Sequence, residues 1–303
     1  MEFSFTVLGS SAAIPAFGRN LAAHIVQHDN SLFLIDCGDG TQVQLEKHKI
    51  KKHKINQIFI SHLHGDHIFG LFGLLSSYSL LGRTNKMQIF SPKGLKPMLD
   101  VVFEHSKSYL SYPLQIIEIQ GDNKSLIFEN NLLEVFSFPL KHRVECYGYL
   151  FKEKKKSFNI LPDAINHYQL SIPEIKSIKQ GNDYLTKGGK WIKNKDLVLQ
   201  KSPEKSFAYC CDTAYYEPII DMIRNCDLIY HDTTFDQSYQ EHAHLTYHST
   251  ATDAALIAFK ANVKKLILGH FSTRYFTLDI LLQQAKSKFE ESYLAVEGEK
   301  INI

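Results

Sequence analysis

Gln57-Ile58-Phe59-Ile60-Ser61 runs without a break into His62-Leu63-His64-Gly65-Asp66-His67. The first five residues read as a buried strand. Four potential metal ligands follow within six residues, on a loop that Gly65 makes flexible, so they can converge where a regular helix or strand would point them apart. Imidazole and carboxylate without thiolate suit zinc or a similar divalent metal. The bland alternative, a polar loop that happens to be rich in histidine, fits the strand-then-glycine context poorly. Four residues cannot complete two tetrahedral sites, so further donors must come from later strand ends. His142, Asp212 and His270 stand in such positions, after Phe138-Pro139-Leu140, Tyr209-Cys210-Cys211 and Leu266-Ile267-Leu268-Gly269. Each alone reads as an ordinary polar loop residue; three together after the cluster reverse that weighting.

Outward from this stretch the apolar pattern alternates strands and helices. Residues 3–8 and 31–36 read as strands, 68–81 as a helix, 87–90 as a strand and 93–105 as a helix, followed by β-type runs at 114–119, 132–138 and 146–151. From 152 to 205 the rhythm breaks: Pro162, Pro173 and the Lys187-Gly188-Gly189-Lys190 turn signal interrupt any regular period, so this stretch reads as an insertion. The pattern then returns, with strands at 207–211, 228–231 and 265–268 and helices at 215–225, 249–261 and 278–288. Two facing sheets with helices on both outer faces would bury these runs, an α/β architecture in one domain spanning 1–303.

The composition, 44% hydrophobic and 22% charged over 303 residues, is that of a globular protein rather than a disordered one. The five cysteines are odd in number and form no C-x-x-C pair, which argues against a disulfide framework and a thiolate metal site. With no basic leader and no apolar run long enough for a bilayer, the expected location is the cytoplasm, away from membranes. The net charge of +2 is unevenly spread: residues 151–205 hold twelve lysines, no arginine and six acidic residues, a net of +6 that leaves −4 for the remainder. That basic segment suggests a polyanion contact, with a solvated lysine-rich loop an equal alternative on charge alone.

These residues resemble the metallo-β-lactamase superfamily, whose signature is H-x-H-x-D-H with separated His, Asp and His ligands. More narrowly they resemble the ribonuclease Z family. The likeness lies in Leu8-Gly-Ser-Ser-Ala-Ala-Ile-Pro15, Arg19-Asn20, Leu34-Ile-Asp-Cys-Gly-Asp-Gly-Thr-Gln42, His142-Arg143, Gly148-Tyr149, Asp212-Thr213, His248-Ser-Thr250 and His270-Phe-Ser-Thr-Arg-Tyr275. The resemblance implies a four-layer αββα sandwich with an inserted flexible arm. It implies two zinc ions per subunit, other divalent metals being possible: His62, His64 and His142 on one, Asp66, His67 and His270 on the other, and Asp212 bridging. It further implies cleavage of precursor tRNA to leave a 3′-hydroxyl, and a homodimer.

A metal lowers the pKa of bound water from 15.7 to roughly 7, and Asp66 inside the cluster can take the water's proton as general base. His248, just before the helix expected at 249–261, is the candidate proton donor to the leaving oxygen, or else only a neighbour of that helix's N-cap. His231-Asp232-Thr233-Thr234 resembles the family's His-Glu-Ala-Thr element with Asp for Glu, so Asp232 could orient His248. Asp36 could support a ligand, or simply close a strand-terminal turn. The basic insertion occupies the interval of the family's arm; its Lys176 and Lys179, with Arg274 after the last ligand, are candidate RNA contacts that position by charge and shape. His24, His28, His48, His53, His105, His167, His242 and His244 are expected at the surface or in loops. A small-molecule phosphodiesterase or arylsulfatase would use the same ligands, since fold does not set substrate. A non-catalytic RNA-binding module need not retain a full ligand set.

Overall fold

The computed structural model describes residues 2–155, 158–199 and 203–303. The chain packs as two compact units, the first formed by residues up to Glu129 with Leu133–Lys152 and Lys205–Ile303, the second by Asn130–Leu132 with Glu153–Glu204.

The first unit holds two seven-stranded sheets. In spatial order one sheet runs Lys300–Asn302, Phe3–Gly9, Ala23–His28, Ser31–Ile35, Ile55–Phe59, Met87–Ser91 and Leu114–Glu118. Its last four strands are parallel. The other runs Ser292–Leu294, Lys265–Gly269, Leu228–Asp232, Ser206–Cys210, Tyr147–Glu153, Leu133–Pro139 and Ser125–Glu129, with the first four parallel. Phe5, Phe33, Phe59 and Phe90 of the first sheet share one buried cluster with Phe138, Tyr149, Phe151, Phe207 and Tyr209 of the second. A second cluster joins Ile25, Leu34 and Ile58 to Ile68, Leu71 and Leu75 of the helix Gly65–Leu80 and to Leu95 and Leu99 of the helix Leu95–His105. Ala254, Ile257 and Ala258 of the helix Ala251–Lys260 and Leu281 of the helix Asp279–Lys286 cover the opposite side. Helix, sheet, sheet and helix form the four layers, and parallel strands buried on both faces explain the continuous apolar runs.

Several expectations need correction. The helix expected from 68 begins at Gly65, so Asp66 and His67 stand on its first turn rather than on a loop. A Cβ at Gly65 would meet the ring of the exposed Phe69, which would have to swing aside. The helix expected over 215–225 is reduced to Ile219–Met222, because Pro218 restricts the residue before it and supplies no amide donor. The strand Ala23–His28 was not expected, since its histidines interrupt the apolar run. His24 and His28 are buried instead of exposed. His24 lies among Phe5, Tyr209 and Tyr230, with ring centroids 5.5, 5.1 and 4.6 Å away.

The second unit is ordered where an irregular segment was expected. It contains the helices Pro162–Tyr168 and Ile172–Lys179 and a hairpin of Tyr184–Leu185 with Trp191–Ile192. Ile160, Ala164, Leu170, Ile178, Tyr184, Leu197 and Val198 make its core. Helices this short escape an 11–18-residue periodicity window. The readable signal was Ser171-x-x-Glu174, which forms a capping box with Glu174 Oε2 accepting from the Ser171 amide at 2.7 Å. Lys156 and Lys201, counted in the segment's charge, lie outside the described residues.

Candidate metal centre

Five strands of the first unit end at one place. His62 follows Ile55–Phe59, His142 follows Leu133–Pro139, Asp212 follows Ser206–Cys210, and His270 follows Lys265–Gly269, while Asp232 ends its own strand. The helix Gly65–Leu80 adds Asp66 and His67 from its first turn. The carboxyl ends of parallel strands are where open α/β sheets bind ligands, because neighbouring loops diverge there and leave a crevice.

Ring-nitrogen partners determine which atoms remain for a metal. Ser61 Oγ donates to Asp36 Oδ2 at 2.9 Å, so it accepts from His62 Nδ1 at 3.0 Å. His142 Nδ1 donates to the Tyr247 carbonyl at 3.1 Å, and His67 Nδ1 to Asp36 Oδ2 at 2.8 Å. Thr234 Oγ1 donates to Asp232 Oδ1 at 2.7 Å and therefore accepts from His270 Nδ1 at 3.0 Å. Each of these four imidazoles thus has its Nδ1 committed, and the remaining Nε2 atoms point inward. His62 Nε2 lies 2.9 Å from His64 Nδ1, which lies 3.3 Å from His142 Nε2. Burial holds His62, His64 and His142 below the usual histidine range, so all three are neutral, with His64 Nδ1 between the Nε2 atoms of the other two. Three neutral ring nitrogens converging in this way can hold a divalent cation.

The second triad is equally incomplete as a hydrogen-bonded group. His67 Nε2 and His270 Nε2 are buried without a hydrogen-bond partner. They approach Asp66 Oδ2 at 3.7 and 4.0 Å, and Asp212 Oδ1 at 3.5 and 3.2 Å. The other Asp212 oxygen, Oδ2, is 3.8 Å from His62 Nε2. Burial opposes charge on His67, but Asp212, Asp36 and Asp66 outweigh it and push its pKa up to about 10. The acidic surroundings thus favour positive charge at the point where these donors meet. Donor atoms of His62, His64 and His142, and of Asp66, His67 and His270, each fall within 4.8 Å of one another, and His62, His67 and Asp212 form a further such group. Nitrogen and oxygen donors in this arrangement fit divalent metal ions.

Two buried aspartates brace side chains of the site. Asp36 accepts from the Ser61 amide at 2.7 Å, Ser61 Oγ, His67 Nδ1 and, at 2.8 Å, the Tyr209 hydroxyl. It therefore braces His67 directly and His62 through Ser61. Asp232 accepts from the Thr213 and Thr234 amides at 3.1 and 3.0 Å and from His248 Nδ1 at 2.8 Å. Aspartate reaches His248 although it is one methylene shorter than glutamate. Burial opposes charge on His248, yet Asp232 and then Asp212 push its pKa up to about 9. His248 precedes the N-cap Thr250, whose capping box closes with Asp253. Ser61, Thr234 and Tyr247 could have been suspected as neighbours of the motifs. Tyr209 and Cys211, whose thiol donates to Asp212 Oδ1 at 2.9 Å, carry no signal short of the folded site.

The donors open into a cavity of about 520 Å³ whose lining includes Ala13, Asp66, Arg143, His248 and Arg274. Arg274 is exposed, with its guanidinium 5.5 Å from the Phe235 and Tyr239 ring centroids. Lys176 and Lys179 are exposed on a helix of the second unit. Among the described residues no helix is long and apolar enough to cross a membrane.

This fold and its converging histidines and aspartates define a metal-dependent hydrolase of the metallo-β-lactamase class. A solved metallo-β-lactamase fold protein, YhfI of Bacillus subtilis, superposes over 100% of both chains with a TM-score of 0.70 at 18% identity. Human tRNase Z, short form, superposes over 98% of both chains with a TM-score of 0.70 at 24% identity. A family model described as anti-Pycsar protein Apyc1 matches residues 3–116. In sequence, ribonuclease Z of Bacteroides fragilis strain YCH46 is 39% identical over 302 residues, covering 100% of this chain and 99% of that protein. The chain belongs to the ribonuclease Z family.

Proposed function

We propose that the protein is a zinc-dependent endoribonuclease that removes the 3′ trailer from tRNA precursors. The observation that carries this reading is Asp212, whose two oxygens face two separate histidine groups in a chain matching ribonuclease Z end to end. Two ions held there, one by His62, His64 and His142 and one by Asp66, His67 and His270, with Asp212 shared, would neutralise phosphoryl oxygens and acidify an attacking water.

The protein's own groups supply the remainder. Asp66 Oδ2 accepts from the Ala13 amide at 3.0 Å, which orients the carboxylate that takes the water's proton. Oxygen attacks phosphorus and the bond to the tRNA 3′ oxygen breaks. His248, held by Asp232, which favours its charged form, gives that oxygen a proton and leaves a 3′-hydroxyl on the tRNA. Arg143 and Arg274 at the cavity offer charge to flanking phosphates. The second unit, with Lys176 and Lys179 exposed on it, acts as the arm that holds the tRNA. The reading includes a homodimer, two-fold dimers being the commonest symmetric oligomers, which light scattering checks.

Purified protein incubated with a 3′-extended tRNA precursor, followed by mapping of both new ends, tests the reading. A tRNA ending in a 3′-hydroxyl and a trailer with a 5′-phosphate are expected. An intact precursor beside rapid hydrolysis of a small diester would return the small-molecule phosphodiesterase.

A further inference from the structure

On two loops beside the cavity, two aromatic rings stand largely in solvent, packed against each other. Phe17 is 53% exposed and Phe276 75% exposed, and their ring centroids are 5.2 Å apart at 87°. Phe17 occupies the tip of a two-residue turn, with φ of 53° there and 77° at Gly18, between Ala16 and Arg19, which pair in antiparallel fashion. Glycine and asparagine suit such a position, and a phenylalanine placed there breaks the local rule without burying its ring. Sites where local preference is overridden without a packing gain are where function is to be sought.

The pair stands outside the cavity lining, on two loops that continue from it. Its two loops run side by side: the Ala12 amide donates to the Phe271 carbonyl at 3.0 Å, and Arg19 Nη2 to the Tyr275 carbonyl at 2.7 Å. Ala13 and Arg274 line the cavity, and Ala13 also holds Asp66. Phe17 is therefore no more than about 14 Å of chain from Ala13, and Phe276 about 7 Å from Arg274. Positive charge accompanies the rings, since the Arg19 guanidinium lies 5.3 Å from the Phe17 ring centroid. Exposed aromatic faces beside cationic groups form the platform on which unpaired nucleobases stack, in any sequence, while the cations take the backbone.

We propose that Phe17 and Phe276 form a stacking platform for an unpaired nucleobase next to the scissile phosphate, so that the nucleotide adjoining the cut is gripped by its base as well as its charge. This rests on the endoribonuclease reading. It predicts grip without sequence readout, because every base has a π-face.

The test compares wild type with the Phe17→Ala, Phe276→Ala double variant on two substrates: the 3′-extended precursor and bis(p-nitrophenyl) phosphate. The ratio of kcat/KM for precursor to that for the small diester should fall about 5- to 150-fold, the range expected for losing one base–aromatic stack. A precursor with one abasic nucleotide, placed in turn at the first two positions on each side of the cut, should cost wild type the same factor at one position. It should cost the double variant nothing more there. Phe276→Tyr should retain the ratio and Phe276→Leu should not, because leucine keeps apolar area without a π-face. A ratio within twofold of wild type, a parallel fall on both substrates, or an abasic penalty undiminished in the variant overturns the stack. Failure of wild type to cut the precursor overturns the endoribonuclease reading and this inference with it.

Discussion

Asp212 offers one carboxylate oxygen to each histidine group, so no other single side chain can replace it. Asp212→Ala is expected to abolish hydrolysis and to reduce bound metal, measured by elemental analysis; full activity with two bound metals would rule out a shared ligand. His248 is different in kind, since its Nδ1 is committed to Asp232 and it is not one of the proposed metal ligands. His248→Ala should keep its metal and bind precursor tRNA, yet cleave it about 10²–10⁴-fold more slowly, as loss of a general acid does. An activated aryl diester needs less proton donation and should be slowed less, which separates acid catalysis from structural damage. Asp36 acts one bond further out. Asp36→Ala leaves the Nδ1 of His67 and the hydroxyls of Ser61 and Tyr209 without their acceptor. Metal affinity should drop about 10- to 100-fold, read by competition with a chelator; unchanged affinity would leave Asp36 as a turn residue only. Asp36, Tyr247 and His270 also hold φ of 56°, 60° and 59°. Each departs from ordinary backbone at a cost of about 1–3 kcal/mol, maintained where a side chain or carbonyl must be aimed at the site.

At the level of elements, the candidate donors depend on strand ends while the proposed arm is a separate unit. Replacing residues 153–204 with a short Gly/Ser linker should leave hydrolysis of bis(p-nitrophenyl) phosphate nearly intact and collapse cleavage of precursor tRNA. The wild-type precursor KM should also rise steeply with salt, and the linker variant's should rise less, because each lost lysine–phosphate contact removes about one counterion from the slope. Equal loss on both substrates would make the unit a structural support instead. This element was also the hardest to read in sequence. The two helices Pro162–Tyr168 and Ile172–Lys179 carry too few residues to reveal a period. The strand Ser31–Ile35, by contrast, was plain because both of its faces are buried.

For the molecule as a whole, metal and fold should be linked. The site gathers groups from both sheets and from the helix Gly65–Leu80, so ions bound there tie elements far apart in sequence. Stripping with a chelator should end hydrolysis and lower the thermal midpoint, and zinc at a thousand times its Kd should restore about 4 kcal/mol of stability. An unchanged midpoint would place the metal in a site indifferent to folding. The chain's own order of residues determined the layered α/β class, because apolar period and turn residues are local properties. It also brought four candidate donors together, because six residues beginning at His62 hold them. Only the tertiary structure decided how they meet. Which ring nitrogen is left for a metal depends on Ser61, Tyr247, Asp36 and Thr234, and that Tyr209 reaches Asp36, or Phe17 finds Phe276, depends on contacts 173 and 259 residues apart. No periodicity encodes such meetings, since they exist only once two sheets have packed face to face and brought their strand ends to one crevice.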